Sequence, residues 1–561
     1  MKRLLALVLP VCVLCGQTEH SRKTSRPFTV VEATIPQMLA AMKAGRVTSR
    51  ELVRQYLERI ATYEDQLHGA ITVNPHALEE AAALDRERAR GHVRGSLHGI
   101  PIALKDNIQT TNMPTTGGAL AFDAFIPPYE ATLAKNLRAA GAVIIAKTTL
   151  TELANWVAGA PTPMPANYNA IRGYGMNPYD PRRDPRPATF DGRPALPTGG
   201  SSSGIGTTAN FWAANVGTET SGSILSPANQ TMLVGIKPTV GRISRHGVIP
   251  ITADQDTPGP LAKTVTDAAI LLAAMEGASP DPNDPATLKC APPRRDYTRF
   301  LHRNALKGAR IGIPRAYYYD AVDTHGDLNP DQQRVMAEAI AVLKKRGAII
   351  VDPADIPSVI AQDPQRNLLN WTICAGADEG KGHDADCSVV LKYGMKRDFN
   401  QWLATLGPTA PVKSLTELRM FNLAHTAAGS IKYGQAALNI SDEMDLDADR
   451  ARYQADRAKD LELAATRGID AVLKEFKLDA LLFPGSNGAA IAAKPGYPTV
   501  IVPFGLIPNA PTPPFPDGFN AKPAPFGVSF TGTACSEPRL LALAYAFEQA
   551  TKGRIPPPLG N

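Results

Sequence analysis

The sequence predicts an α/β fold, a largely buried β-sheet with helices packed against it, and three observations carry that expectation. Short apolar runs of strand character recur at residues 100–104, 143–146, 311–313, 349–351, 480–483 and 500–503 with helical stretches between them, the alternation that builds a layered α/β protein. The 561 residues are 44% apolar and 20% charged, ample for a large core and too apolar for a disordered chain. Forty-five glycines and 49 prolines, about one residue in six, put much of the chain in turns and long loops, where sites tend to lie. No internal repeat is visible.

Taken in order, Lys2 and Arg3 followed by the apolar run 4–14 and polar residues from Gln17 read as a secretory signal over 1–16, too short to span a bilayer. Cleavage near Gly16 yields an exported protein, periplasmic or secreted; Cys12 and Cys15 would also allow lipid anchoring. An extension, 17–34, leads into the folded chain. The Thr48-x-x-Glu51 spacing is that of a capping box, and Leu52, Tyr56 and Ile60 follow at helical spacing. Residues 156–198 break the rhythm with Pro, Gly, Arg and aromatics, a long loop insertion read as a pocket wall. A helical stretch at 396–445, with Trp402, Leu415, Leu418, Phe421 and Tyr433, either covers the same site or packs beneath it.

The net charge of +6 is scattered rather than striped, which speaks against nucleic-acid partners, and no internal stretch reaches the roughly 18 to 20 apolar residues of a membrane span. Beyond the signal, Cys290, Cys374, Cys387 and Cys535 remain. Cys374 and Cys387 form the best disulfide candidate, closing a loop with Asp378, Glu379, His383, Asp384 and Asp386. That loop has no zinc-type Cys-x-x-Cys spacing, so no metal is expected.

Three segments carry chemistry. In Gly99-Ile100-Pro101-Ile102-Ala103-Leu104-Lys105-Asp106-Asn107 an apolar strand delivers one lysine; burial would desolvate the ammonium and make Lys105 a general base near neutral pH. Gly199-Gly200-Ser201-Ser202-Ser203-Gly204 and Gly217-Thr218-Glu219-Thr220-Ser221-Gly222-Ser223-Ile224 place serines among glycines, where the backbone turns sharply and consecutive N–H groups converge on one point, as an oxyanion hole requires.

In this order the three segments resemble the amidase signature family. The likeness extends through 137–147, 234–241, 257–268 and 496–503 to Glu548 and Pro556, so one domain over 35–557 is expected. The resemblance implies a single large domain with a mixed, mostly parallel central β-sheet covered by helices on both faces. It implies hydrolysis of linear C–N bonds through a Ser-cisSer-Lys triad, with Ser223 as nucleophile, Ser201 as the bridging serine and Lys105 as base. The backbone N–H groups of Thr220, Ser221, Gly222 and Ser223 match the oxyanion hole, and the family's cis bond would fall between Gly200 and Ser201, at about 3 to 4 kcal/mol for a non-proline bond. No metal or organic cofactor is implied; the partner is a small-molecule amide, whether an aryl amide, a carbamate or a peptide amide. Oligomeric state is not legible.

The chain departs from the family pattern in three ways. Ser201 and Ser223 are closer together than is usual, leaving Ser202 as reserve for the bridge; Glu219, Ser221 and Leu225 replace residues of the usual Asp-x-Gly-Gly-Ser-Ile-Arg; and 185–198 is an extra insertion. Rival readings are an α/β-hydrolase-type esterase using Ser202, since 200–204 also fit Gly-x-Ser-x-Gly, and a non-catalytic exported binding protein. The first needs a preceding strand, where Pro194 and Pro197 stand; the second must explain three competent triad positions. An amidotransferase component that works on charged transfer RNA fits poorly with an export signal.

Overall fold

The computed structural model of the chain describes residues 28–189, 191–322, 325–376 and 380–559. The signal-like segment 1–16 and most of the extension lie outside them. Eleven strands form one mixed sheet: β1 (Ala70–Val73), β2 (Pro101–Lys105), β3 (Val143–Thr148), β4 (Ala214–Glu219), β5 (Val234–Lys237), β6 (Thr257–Ala262), β7 (Arg310–Gly312), β8 (Ile349–Val351), β9 (Ala480–Pro484), β10 (Thr499–Ile507) and β11 (Ala524–Thr531). Their order across the sheet is β1-β3-β2-β4-β6-β5-β10-β11-β9-β7-β8. Parallel pairing is confined to two blocks, β3-β2-β4 and β9-β7-β8, with antiparallel neighbours between and beyond them. The sheet is mixed as expected, but with four of its ten pairings parallel it is less parallel than the mostly parallel sheet the resemblance implied. Antiparallel neighbours need no crossover helix, so the segments joining the central strands are free to form the loops of a site.

Every position of β2, β3, β4, β5, β6, β9 and β11 is buried, so both faces of the sheet are covered. All six strands expected from apolar runs form. Of the other five, β4 and β6 form against weak local sequence. β6 reads Thr-Pro-Gly-Pro-Leu-Ala, yet it pairs with β4 along its whole length and with β5 only at Leu261 and Ala262, so Pro258 and Pro260 lie beyond its ladder with β5.

The helix at Ser49–Leu67 begins as expected, with the Thr48 hydroxyl accepting from the Glu51 N–H and Leu52, Tyr56 and Ile60 on its buried face. The reciprocal arm of the capping box is missing, because the Glu51 carboxylate accepts from Arg54 and Gln55 instead. Helices at Val390–Thr405, Leu415–Ala424 and Ala436–Asp442 realise the later helical stretch. They meet the insertion: Trp156 Nε1 donates to Ser441 Oγ at 2.9 Å, and the Tyr433 hydroxyl donates to Asp191 Oδ2 at 2.5 Å. Three Asp-x-Arg pairs, 180/182, 184/186 and 191/193, pin the insertion internally, and Arg182 and Arg186 also donate to the carbonyls of Phe519 and Pro513.

Cys374 and Cys387 are bonded, as expected, and Cys290 pairs with Cys535 across 245 residues, a separation no local reading could bridge. Asp384 lies near the first pair, but both sulfurs there are spent on each other and cannot serve as thiolate ligands. Among the described residues no helix is long and apolar enough to cross a membrane.

Candidate active site

The site forms at the carboxyl ends of two adjacent parallel strands. β2 is apolar until its last residue, and it pairs with β3 on one side and β4 on the other, so Lys105 enters the interior with no route to solvent. Burial lowers its ammonium to about 7, while the charges of Asp256 and Glu219 pull the other way. Lys105 Nζ donates to Ser201 Oγ at 3.1 Å, to Thr218 Oγ1 at 2.8 Å and to the Thr218 carbonyl at 3.3 Å. Asn107 Nδ2 donates to the same Thr218 hydroxyl at 3.1 Å. Next to Lys105, Asp106 pairs with Lys147 at 3.1 Å, so this second buried lysine is committed to a carboxylate and Lys105 is not.

β4 ends at Glu219 and the chain turns through 220–223 into a short helix, Leu225–Gln230. Glu219 Oε2 accepts the N–H groups of Ile224 and Leu225 at 2.7 and 2.9 Å, which folds the turn back over the strand end. Gly222, at φ +83°, supplies the left-handed residue that the turn requires. The N–H groups of Ser221, Gly222 and Ser223 donate to no acceptor among the described residues.

The serine run lies against this turn. A Cβ at Gly199 would sit 2.5 Å from the Pro227 backbone, and one at Gly200 would sit 3.0 Å from Ser223 Cα, so both glycines are needed for the approach. Ser202 N–H donates to the Ser223 carbonyl at 3.0 Å. Ser202 Oγ donates to the Thr218 carbonyl at 2.9 Å and accepts the Thr218 N–H at 3.1 Å, which ties its hydroxyl to the strand. Ser201, not Ser202, therefore meets Lys105. Ser223 Oγ hydrogen-bonds none of the described residues, so the chain from Lys105 runs as far as Ser201 and its last link to Ser223 is open.

One expectation is corrected. The Gly200–Ser201 bond is trans; the cis bonds among the described residues all precede proline. The trans form avoids the roughly 3 to 4 kcal/mol of a non-proline cis bond, and Ser201 still reaches the lysine. The elbow reading of 200–204 finds no support in the geometry, because no strand precedes the run and Ser202 meets backbone rather than a histidine. His98, beside the lysine segment, bonds the Leu84 carbonyl and the Arg94 N–H and orients a turn.

Sequence reasoning missed Gln255 and Asp256, which reach the site from the turn before β6. The Thr220 hydroxyl donates to Asp256 Oδ1 at 2.5 Å, and Gln255 Nε2 donates to the Thr220 carbonyl at 3.2 Å. Their only local signal was a carboxylate just ahead of a segment rich in Pro and Gly, which is indistinguishable from an ordinary turn.

A family model described as Amidase matches residues 51–541. The chain is 34% identical over 561 residues to a probable amidase of Arabidopsis thaliana, covering 99% of this chain and 96% of that protein. It is 31% identical over 519 residues to a component of the glutamyl-tRNA(Gln) amidotransferase of Thermosynechococcus vestitus, covering 90% of this chain and 95% of that one. Among solved structures it is similar to the native peptide amidase of Stenotrophomonas maltophilia, with 35% identity, a TM-score of 0.78, and 95% and 99% of the two chains covered.

Proposed function

Since the chain belongs to the amidase family, we propose that it hydrolyses linear carboxylic amides through a seryl acyl-enzyme, with Ser223 as nucleophile, Ser201 as proton bridge and Lys105 as base. The observation that carries this reading is the buried Lys105, lowered to about 7 and donating to Ser201 Oγ at 3.1 Å. Near neutral pH about half of such lysines are neutral, against about one in three thousand at the ordinary value. Neutral Lys105 takes the proton of Ser201 as Ser201 takes that of Ser223, and Ser223 Oγ attacks the substrate carbonyl. The free amides of 221–223 receive the developing oxyanion. The proton then returns through the relay to the departing amine, and water attacks the acyl-enzyme with the same base.

The resemblance to a peptide amidase favours amidated peptides among the candidate substrates. Two disulfides and the signal-like N-terminus support export to an oxidising compartment, which in turn disfavours a transfer-RNA substrate.

The test is to label the purified protein with a fluorophosphonate, map the adduct, and follow hydrolysis of a peptide amide, an anilide and an ester by wild type and Ser223→Ala. An adduct on Ser223 with amide cleavage lost in the variant supports the reading. An adduct on Ser202 with ester turnover alone favours an esterase, and neither label nor turnover favours a binding protein.

A further inference from the structure

We infer that Asp256 is a positioning residue for this site, anchoring the turn that carries the 221–223 amides through the Thr220 hydroxyl and setting its negative charge against Lys105. This rests on the proposed function. Asp256 is buried, and its two oxygens are divided between two tasks. Oδ2 accepts the N–H groups of Ile251 and Thr252 at 2.8 and 3.0 Å, closing its own turn. Oδ1 accepts the Thr220 hydroxyl, and the preceding Gln255 holds the Thr220 carbonyl. Two consecutive side chains thus grip both polar handles of the residue just ahead of the free amides.

That grip is braced from behind. A Cβ on Gly394 would lie 2.2 Å from Thr252 Oγ1, so the helix at Val390–Thr405 presses directly on the turn, and Asp398 Oδ2 accepts the Ala253 N–H at 2.7 Å. The void bounded by Asn107, Ala154, Thr218, Thr220 and Asp256 is only about 10 Å³, room for about one water. Asp256 acts on the site through Thr220 and through its charge.

The charges facing these groups come from several elements. Lys105 faces Glu219 from β4 and Asp256 from the turn before β6. Asp256 faces Arg245 from the loop after β5 and Asp398 from the covering helix, and burial raises its carboxyl to about 6. Above that pH Asp256 is an anion and opposes the burial that depresses Lys105, which keeps the lysine a stronger base than desolvation alone would leave it.

The experiment compares kcat/KM against pH for wild type, D256N, T220V and T220S, with fluorophosphonate labelling alongside. D256N is expected to move the acidic limb down by about one pH unit, because the neutral base then persists to lower pH, and to lower the maximum. T220V is expected to lower the maximum about 10- to 100-fold, and T220S, which keeps the hydroxyl and with it the hydrogen bond that holds the Asp256 carboxyl down, to retain most of the rate that T220V loses and to leave the limb in place. A folded D256N with an unmoved limb overturns the charge role. Equal rates in T220V and T220S overturn the anchor and need no folded D256N. Failure of wild type to label at Ser223 would instead sink the proposed function and is read separately.

Discussion

Replacing Lys105 by methionine should abolish activity and stabilise the fold, and the second effect should depend on pH in a way only a buried base can produce. The unfolded chain holds this proton up to 10.5, whereas the folded chain releases it near 7. Between those values the unfolded state binds more protons, so wild-type stability climbs as pH rises from 7 to 10.5 and carries a constant cost below 7. Moving the titration that far costs the fold about 5 kcal/mol at neutral pH. Methionine fills the same space without charge, at the loss of the bonds to Ser201 Oγ, Thr218 Oγ1 and, at the longest distance, the Thr218 carbonyl, together about 1 to 3 kcal/mol; the Thr218 hydroxyl keeps its Asn107 partner and the carbonyl its Ser202 partner. The net expectation is a gain of about 2 to 4 kcal/mol at pH 7 that vanishes or reverses by pH 10. The assay is thermal or denaturant unfolding of both proteins at pH 7 and 10, with amide hydrolysis measured in parallel. A variant no more stable than wild type at pH 7, or a gap of the same size at both pH values, would refute a depressed, desolvated Lys105.

Wild-type kcat/KM should rise about tenfold per pH unit below about 7 and level off above it, since the base must be neutral; a profile flat from pH 5 to 9 would contradict the assignment. Ser201→Ala should cut the rate of Ser223 acylation more than Ser202→Ala, whose main effect should be a lower melting temperature through the lost bonds to Thr218; single-turnover labelling separates the two, and the reverse order would move the bridge to Ser202. Arg242→Met strands Glu276 and Glu537 as buried carboxylates and should cost about 3 to 5 kcal/mol in unfolding measurements, without moving the pH profile of whatever activity the folded fraction retains. Alkylation of the unreduced protein should leave Cys290, Cys374, Cys387 and Cys535 unmodified, and reduction should lower the melting temperature, the 245-residue loop alone being worth roughly 5 kcal/mol; labelling of any of the four without reductant would contradict its pairing.

What the sequence determined by itself is everything local or written in a contiguous motif. Strands of apolar residues such as 101–105 and 143–148 were legible because burial on both faces selects an unbroken apolar run, and the helix at 49–67 because caps and period are short-range. The segments that carry Lys105, Ser201 and Ser223 stood out because each residue sits among glycines or apolar residues in an order that resembles one family, and the family is what the comparison bears out. Tertiary structure alone decided what depends on partners distant along the chain. β4 and β6 contain Asn, Gly and Pro and exist as strands because distant segments pair with them, each with the other, β4 also with β2 and β6 also with β5. Which of two adjacent serines meets the lysine was settled by Thr218, whose backbone occupies the Ser202 hydroxyl. Asp256 and Cys535 carry no local mark, since a carboxylate or thiol takes its meaning from the group it faces, here Thr220 36 residues away and Cys290 245 residues away. Local sequence specifies what a residue can do; the low-dielectric interior, assembled from distant segments, decides which proton it holds and for whom.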